Sequence, residues 1–117
     1  MHNIKYAKKP IALSLVVGIT LFSVTHANAQ SGIASIYHGE RTANGEYAHA
    51  QKMTAAHRSL PFGTKVRVTN HRNGRSVVVR INDRGPYVRG RVIDVTPAAA
   101  DALGFSGLTN VTLLVLN

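Results

Sequence analysis

The sequence predicts a mainly β domain, with about six short strands and one short helix closing into a small barrel. Three observations carry this expectation. Short apolar runs rich in β-branched residues recur along the chain, each bounded by Gly, Pro or Asn. Only residues 98–103 read as a helix, an alanine-rich segment between a Thr-Pro start and a glycine stop. A chain this short also needs its strand edges covered, and closure of the sheet removes them.

The chain opens with Lys5, Lys8 and Lys9, an uncharged apolar stretch over 11–24, and the small-residue site Ala27-Asn28-Ala29. That order is the pattern of a secretory signal peptide, with cleavage expected between Ala29 and Gln30. The apolar stretch falls short of the roughly 18 residues a membrane anchor needs. Residues 30–117 are then a single domain, large enough for one small core. No cysteine occurs in the chain, so neither a disulfide nor a lipid-anchoring cysteine is available. Beyond the leader, 11 Lys and Arg face five acidic residues, a formal charge of +6. Such a balance favours an anionic partner, and export favours an acidic wall polymer over nucleic acid or lipid. The plainer alternative is a solvated basic surface.

Residues 31–37 form the first expected strand, with Ile33, Ser35 and Tyr37 alternating against Ala34 and Ile36. A polar stretch follows, in which Asn44-Gly45 makes a sharp turn and Glu46 emerges from it. Residues 53–57 fit a short strand or a helical turn, and the break at Leu60-Pro61-Phe62-Gly63 soon afterwards favours the strand. Residues 65–69 and 76–81 flank Asn73-Gly74 as a hairpin with a loop longer than two residues. The second of these strands, the most apolar run beyond the leader, ends at Asn82-Asp83-Arg84-Gly85-Pro86. Gly85 supplies a positive φ there and Pro86 prevents the strand from continuing. Residues 91–95 give a further strand carrying Asp94. Thr96 caps the helix, Gly104 ends it, and residues 111–116 close the chain as the last strand.

Five acids are available for chemistry: Glu40, Glu46, Asp83, Asp94 and Asp101. Asp101 reads as a solvated helix position and Glu40, beside Arg41, as surface. The other three adjoin turns or strand ends. One carboxyl group can protonate a glycosidic oxygen and then act as base. Asp83 sits at the mouth of a stiff strand, a good place for a reacting group, although taken alone an Asx-type turn bond is the commoner explanation. Alternation puts Asp94 opposite Ile93 and Val95, toward a cleft shared with Asp83. Its nearness to Thr96 favours a structural role, in which it accepts amide hydrogen bonds at the helix start. The histidines lack metal-ligand spacing and no cysteine assists them, so no metal or cofactor is expected. His57 suits either the orienting of a carboxylate or a structural position. Neither Ser59 nor Ser76 lies in a nucleophile-elbow context. The arginines of the second half raise nucleic-acid binding, but no recognition motif accompanies them.

Gly32-Ile33-Ala34-Ser35-Ile36-Tyr37, Thr42-Ala43-Asn44-Gly45-Glu46, Thr54-Ala55-Ala56-His57, Leu60-Pro61-Phe62-Gly63, Asn82-Asp83-Arg84-Gly85-Pro86 and Gly90-Arg91-Val92-Ile93-Asp94 occur in that order. Together they resemble the bacterial rare lipoprotein A family of lytic transglycosylase-like proteins, over nearly all of the chain beyond the leader. The resemblance implies a six-stranded double-psi β-barrel, related to the barrels of expansins. It implies peptidoglycan glycan strands as substrate, cut between N-acetylmuramic acid and N-acetylglucosamine without water to leave a 1,6-anhydro end. Asp83, Glu46 and His57 are the catalytic residues it implies. Asp94, Asn82, Arg84, Tyr37 and Thr54, which belong to the same motifs, are the candidate substrate-binding residues. On this reading Asp83 protonates the glycosidic oxygen, which requires burial or a neighbouring carboxylate to favour its protonated form; with Asp94 in the same cleft, either aspartate can be the donor. The Arg84 guanidinium would oppose protonation of Asp83 if it reached the carboxylate.

The chain departs from the family pattern in its missing lipid-attachment cysteine, its missing C-terminal glycan-binding repeat, and a segment over 37–42 that looks short. The expectation is therefore a monomer, free in the periplasm or secreted. A non-catalytic, expansin-like wall-binding module is the competing expectation.

Overall fold

The computed structural model describes residues 29–38, 42–46 and 49–116. The expected leader, Ala29 apart, lies outside them, as do Glu40 and Arg41. Six strands form: β1 (Ala29–Ile36), β2 (Thr54–Ala56), β3 (Lys65–Asn70), β4 (Ser76–Asp83), β5 (Arg91–Val95) and β6 (Thr109–Val115). One helix, α1 (Pro97–Leu103), separates β5 from β6. The strands close into a barrel in the order β1-β5-β2-β4-β3-β6, with β6 returning to β1. The β1–β5 and β2–β4 pairs are parallel and the other four antiparallel. The expected closed six-stranded barrel is present, and with it the single helix.

Local chemistry places the elements much as expected. Thr96 Oγ1 accepts from the Ala99 amide at the start of α1, with Pro97 at the first turn, and Gly104 ends the helix at φ 78°. The β3–β4 hairpin turns at Gly74, with φ 76°. The last strand begins at Thr109 rather than 111. Its first residues carry little apolar pattern, but backbone pairing with β1 extends it, Thr109 lying opposite Ala34.

Val66, Val68, Val79, Ile81, Ile93, Val95, Val111 and Leu113 fill the barrel, joined by Leu103 from the helix, and all are essentially inaccessible. Burial of each such side chain contributes roughly 1.5–3 kcal/mol. Asn70, fully buried among them, donates to the Leu103 carbonyl and accepts from Thr109 Oγ1 and the Arg72 amide, tying helix to barrel. The site is built from strand positions outside this set, several of them, such as Ser35, Thr54, Ala56 and Asn82, themselves buried.

Two register shifts decide which residues share the outer face. Ala55 lies opposite Ile81, but Ala56 lies opposite Asp83, so Asn82 is an extra residue in β4. Strict alternation from the buried Ile81 would send Asp83 inward. The bulge turns it onto the outer face instead, a common use of such irregularities beside active sites. A second shift, between Ile33 and Ala34, makes Val92 the extra residue of β5. Val92 leans over Gly32, where a Cβ would meet its Cγ1 at 2.3 Å, so only glycine admits this packing.

Candidate active site

Across β1, β5, β2 and β4 the residues Ser35, Asp94, Ala56 and Asp83 stand in one row. Partners in register share a face, so the two aspartates point to the same side with the small Ala56 between them. Two strand spacings put their backbones about 10 Å apart. Ala56 itself is buried, so the two carboxylates flank a small, covered side chain rather than a third polar group.

Asp83 is held by three donors. Its Oδ2 accepts from Tyr37 Oη at 2.6 Å, and its Oδ1 accepts from the amides of Ala43 and Arg84, each at 2.8 Å. The local bond is to the next amide, Arg84, rather than to the amide two residues on that an Asx turn would use, and it engages one oxygen only. The Arg84 guanidinium turns the other way. Its Nη1 donates to the carbonyls of His57 and Leu60, and its plane lies 4.1 Å from the Phe62 ring centroid. Arg84 thus fastens the 57–62 loop to the barrel rather than reaching the Asp83 carboxylate, and among the described residues it does not border the groove.

Asp94 is half-buried and accepts from Ser35 Oγ at 3.0 Å. The amide expected to engage it at the helix start goes to Thr96 instead. The structural role favoured from sequence spacing is thus replaced by a place in the row with Asp83. Burial pushes the Asp94 carboxyl above the ordinary carboxylate value of 3.8, and the Asp83 charge adds to this. Ser35, Arg91 and His38 pull in the opposite direction without cancelling it.

Beside the row, Glu46, His49, Lys52, Thr54, Arg80 and Asn82 line a groove of about 390 Å³. Glu46 is paired with both terminal nitrogens of Arg80, at 2.9 and 3.2 Å, and accepts from Asn82 Nδ2 at 3.1 Å. The Arg80 and Asn82 hydrogen bonds hold its carboxyl down at about 2, so it is a fixed negative charge rather than a proton donor. Arg80 was legible only as a charge interrupting the apolar run of β4. Tyr37, Thr54, Ala56 and Asn82 line a narrow crevice, and the Tyr37 hydroxyl reaches Asp83. A roomier hollow of about 440 Å³, lined by Ile33, His71, Arg72, Leu108, Thr109 and Asn110, holds no carboxylate. The chemistry therefore points to the groove. Glu46→Gln should lower kcat/KM about tenfold, equally at about pH 5 and about pH 8, since the native charge persists across that range. A loss confined to one end of a measured pH profile would count against a purely positioning role.

His57 joins the site through its backbone, not its ring. Its amide donates to the Asp83 carbonyl at 3.1 Å. Its buried ring accepts the Ser59 and Leu60 amides at Nδ1, which leaves the proton on Nε2 to donate to Gln30 Oε1. The ring is thus a neutral strut between β1 and the 57–60 turn, and the positioning of Asp83 is indirect. Burial, with help from Arg58 and Arg84, lowers its pKa below the ordinary 6.5. The unfolded chain then binds the proton more readily, so this contribution to stability is lost as pH falls below about 6.5. Deleting the ring in His57→Ala leaves two amides unpaired, and unfolding in urea should show a loss of roughly 2–4 kcal/mol. Unchanged stability would place the ring outside the framework. Among the described residues no group of three His, Asp or Glu is placed to hold a metal ion. Among them, too, no helix is long and apolar enough to cross a membrane.

Residues 29–114 match the model of a protein family described as lytic transglycolase. The chain is 58% identical over 97 residues to a probable endolytic peptidoglycan transglycosylase RlpA of Synechocystis, covering 78% of this chain and 30% of that protein. It is 50% identical over 97 residues to the endolytic peptidoglycan transglycosylase RlpA of Pseudomonas aeruginosa, covering 78% and 28%. The chain thus spans less than a third of the length of these relatives. Among solved structures, the Streptomyces papain inhibitor superposes with a TM-score of 0.63 at 22% identity, over 78% of this chain and 96% of the inhibitor. An expansin of Clavibacter michiganensis superposes with a TM-score of 0.63 at 21% identity, over 76% and 50%. These two likenesses concern the fold. The chain belongs to the lytic transglycolase family of RlpA-like double-psi β-barrels.

Proposed function

We propose that this barrel is an endolytic peptidoglycan transglycosylase that cleaves the bond between N-acetylmuramic acid and N-acetylglucosamine, leaving 1,6-anhydro ends. The observation that carries the reading is the row in which Asp94, its protonated form favoured by burial, faces Asp83 across Ala56. Family membership and the names of relatives at 50–58% identity support the same chemistry.

Of the two aspartates between which the sequence left the donor open, this reading gives the role to Asp94, whose burial favours its protonated form. Asp94 carries the proton and gives it to the glycosidic oxygen as the C1–O bond breaks. Asp83, fixed by Tyr37, Ala43 and Arg84, turns its negative charge toward the positive charge that develops at C1. The C6 hydroxyl of the muramic residue then bonds to C1 and returns its proton to Asp94, so no water is consumed. Glu46 and Asn82, with Arg80 and Thr54, line the groove that receives the neighbouring sugar. The substrate is an extracytoplasmic polymer, which accords with the basic charge and the expected leader. The barrel acts on it as a monomer released from the membrane.

Purified sacculi incubated with the protein should yield muropeptides with 1,6-anhydro ends, identified by mass spectrometry. Reducing ends would point to hydrolysis. Binding without any new ends would point to the expansin-like alternative.

A further inference from the structure

The loop between β4 and β5 joins the strand that carries Asp83 to the strand that carries Asp94, and it holds a side chain with no part in the chemistry above. Tyr87 is the most exposed large hydrophobic side chain among the described residues, at 74%, and Val88 next to it is exposed at 51%. Soluble proteins do expose single apolar side chains, so exposure alone decides nothing. The setting of Tyr87 is more informative.

Its ring is backed by bare main chain. Cδ2 and Cε2 lie 3.7 Å from the position a Cβ would take on Gly85, whose φ of 115° only glycine adopts readily. The Cδ2–Cε2 side of the ring therefore lies near the backbone two residues from Asp83. The loop is pinned at both ends. The Asp83 carbonyl accepts from the His57 amide, and the Arg84 guanidinium grips the 57–60 turn. At the far end the Ile33 amide donates to the Gly90 carbonyl and the Arg91 amide to the Val88 carbonyl. Ile33 and Arg91 are paired in register, two and three residues before Ser35 and Asp94. The loop joining the two strands of the carboxylate row thus carries an exposed aromatic ring between anchored ends.

We propose that Tyr87 is a glycan-stacking residue, a platform for the C–H face of a pyranose ring in the strand lying across the Asp83–Asp94 row. The proposal rests on the transglycosylase reading for the identity of the strand. A pyranose presents apolar C–H bonds on its ring face and hydroxyls at its edge. The negative face of an aromatic ring attracts the former, and the phenol edge leaves the latter in water. A tyrosine has few rotatable bonds, so little conformational entropy is lost on contact. The platform is flat and belongs to neither hollow described above. That shape suits a polymer passing over the barrel better than a small enclosed ligand. Stacking on a sugar away from the broken bond binds ground state and transition state alike, so it acts on KM.

The test compares the whole chain with its Tyr87→Ala and Tyr87→Phe variants, using co-sedimentation with insoluble sacculi and kinetics on soluble glycan strands. Tyr87→Ala should weaken sedimentation and raise KM about tenfold, the scale of one aromatic contact, with kcat and Tm unchanged. Tyr87→Phe keeps the plane and should stay within about twofold of the parent. Equal sedimentation and KM for all three proteins would overturn the proposal. So would an equal loss in both variants, which would assign the effect to the hydroxyl. If the parent releases no anhydro ends, the transglycosylase reading fails, and co-sedimentation still decides whether Tyr87 stacks on glycan.

Discussion

Asp94→Asn is expected to reduce the release of 1,6-anhydro ends by about 10²–10⁴-fold, the range for loss of a positioned proton donor. The fold should not suffer. The amide oxygen introduced at this position can still accept from Ser35 Oγ, and the substitution removes a charge whose ionised form is penalised by burial. The sign follows from the raised pKa: the folded protein binds this proton more tightly than the unfolded chain, so ionised Asp94 costs stability at neutral pH. That cost fades as pH falls toward the ordinary value of 3.8. The variant should therefore equal or exceed the parent in Tm at neutral pH, and the two should converge near about pH 4. The same shift predicts that activity declines as pH rises through the Asp94 pKa. Retained activity in the variant, or activity lost only through unfolding, would remove Asp94 from the mechanism.

Asp83→Ala should behave differently, losing activity and stability together. The carboxylate ties Tyr37 after β1, Ala43 in the polar loop and the Arg84 amide to one point. Its removal leaves three donors without their acceptor, at a cost of roughly 1–3 kcal/mol, and frees the loop that carries Glu46. Turnover should fall by about 10²-fold or more as the charge facing C1 is lost. Urea unfolding of Asp83→Ala and Asp94→Asn side by side tests the division of roles. Equal stability in the two variants would contradict it.

Much of the barrel was legible because its strands are written in local patterns. The β-branched run of β4, the Asn73-Gly74 turn and the Thr96-Pro97 start each produced the expected element. Pairing partners were not legible, since the insertion of β2 between β4 and β5 depends on contacts far apart in sequence. That insertion is what brings Asp94 level with Asp83, so spacing along the chain favoured the helix start instead. The Asn82 bulge was equally hidden, because alternation alone would have buried Asp83. His57 was singled out for its motif, but the use of its ring depends on Gln30, a residue with no apparent signal. Ser35 lay within an expected strand without a visible purpose until Asp94 stood opposite it.

The strand order has a consequence for the chain as it is made. Only β3 and β4 neighbour each other both in sequence and in the sheet. β1 emerges first, yet its two partners, β5 and β6, are the last strands synthesised. The nascent chain therefore carries β1 with both edges open while the intervening segments appear, a condition that favours intermolecular pairing. The β3–β4 hairpin is the one pairing of sequence neighbours, and the other five pairings are non-local, a topology that slows folding. The two aspartates gain a fixed separation only when β5 joins β2, so the site cannot be assembled until the segment carrying Asp94 has emerged.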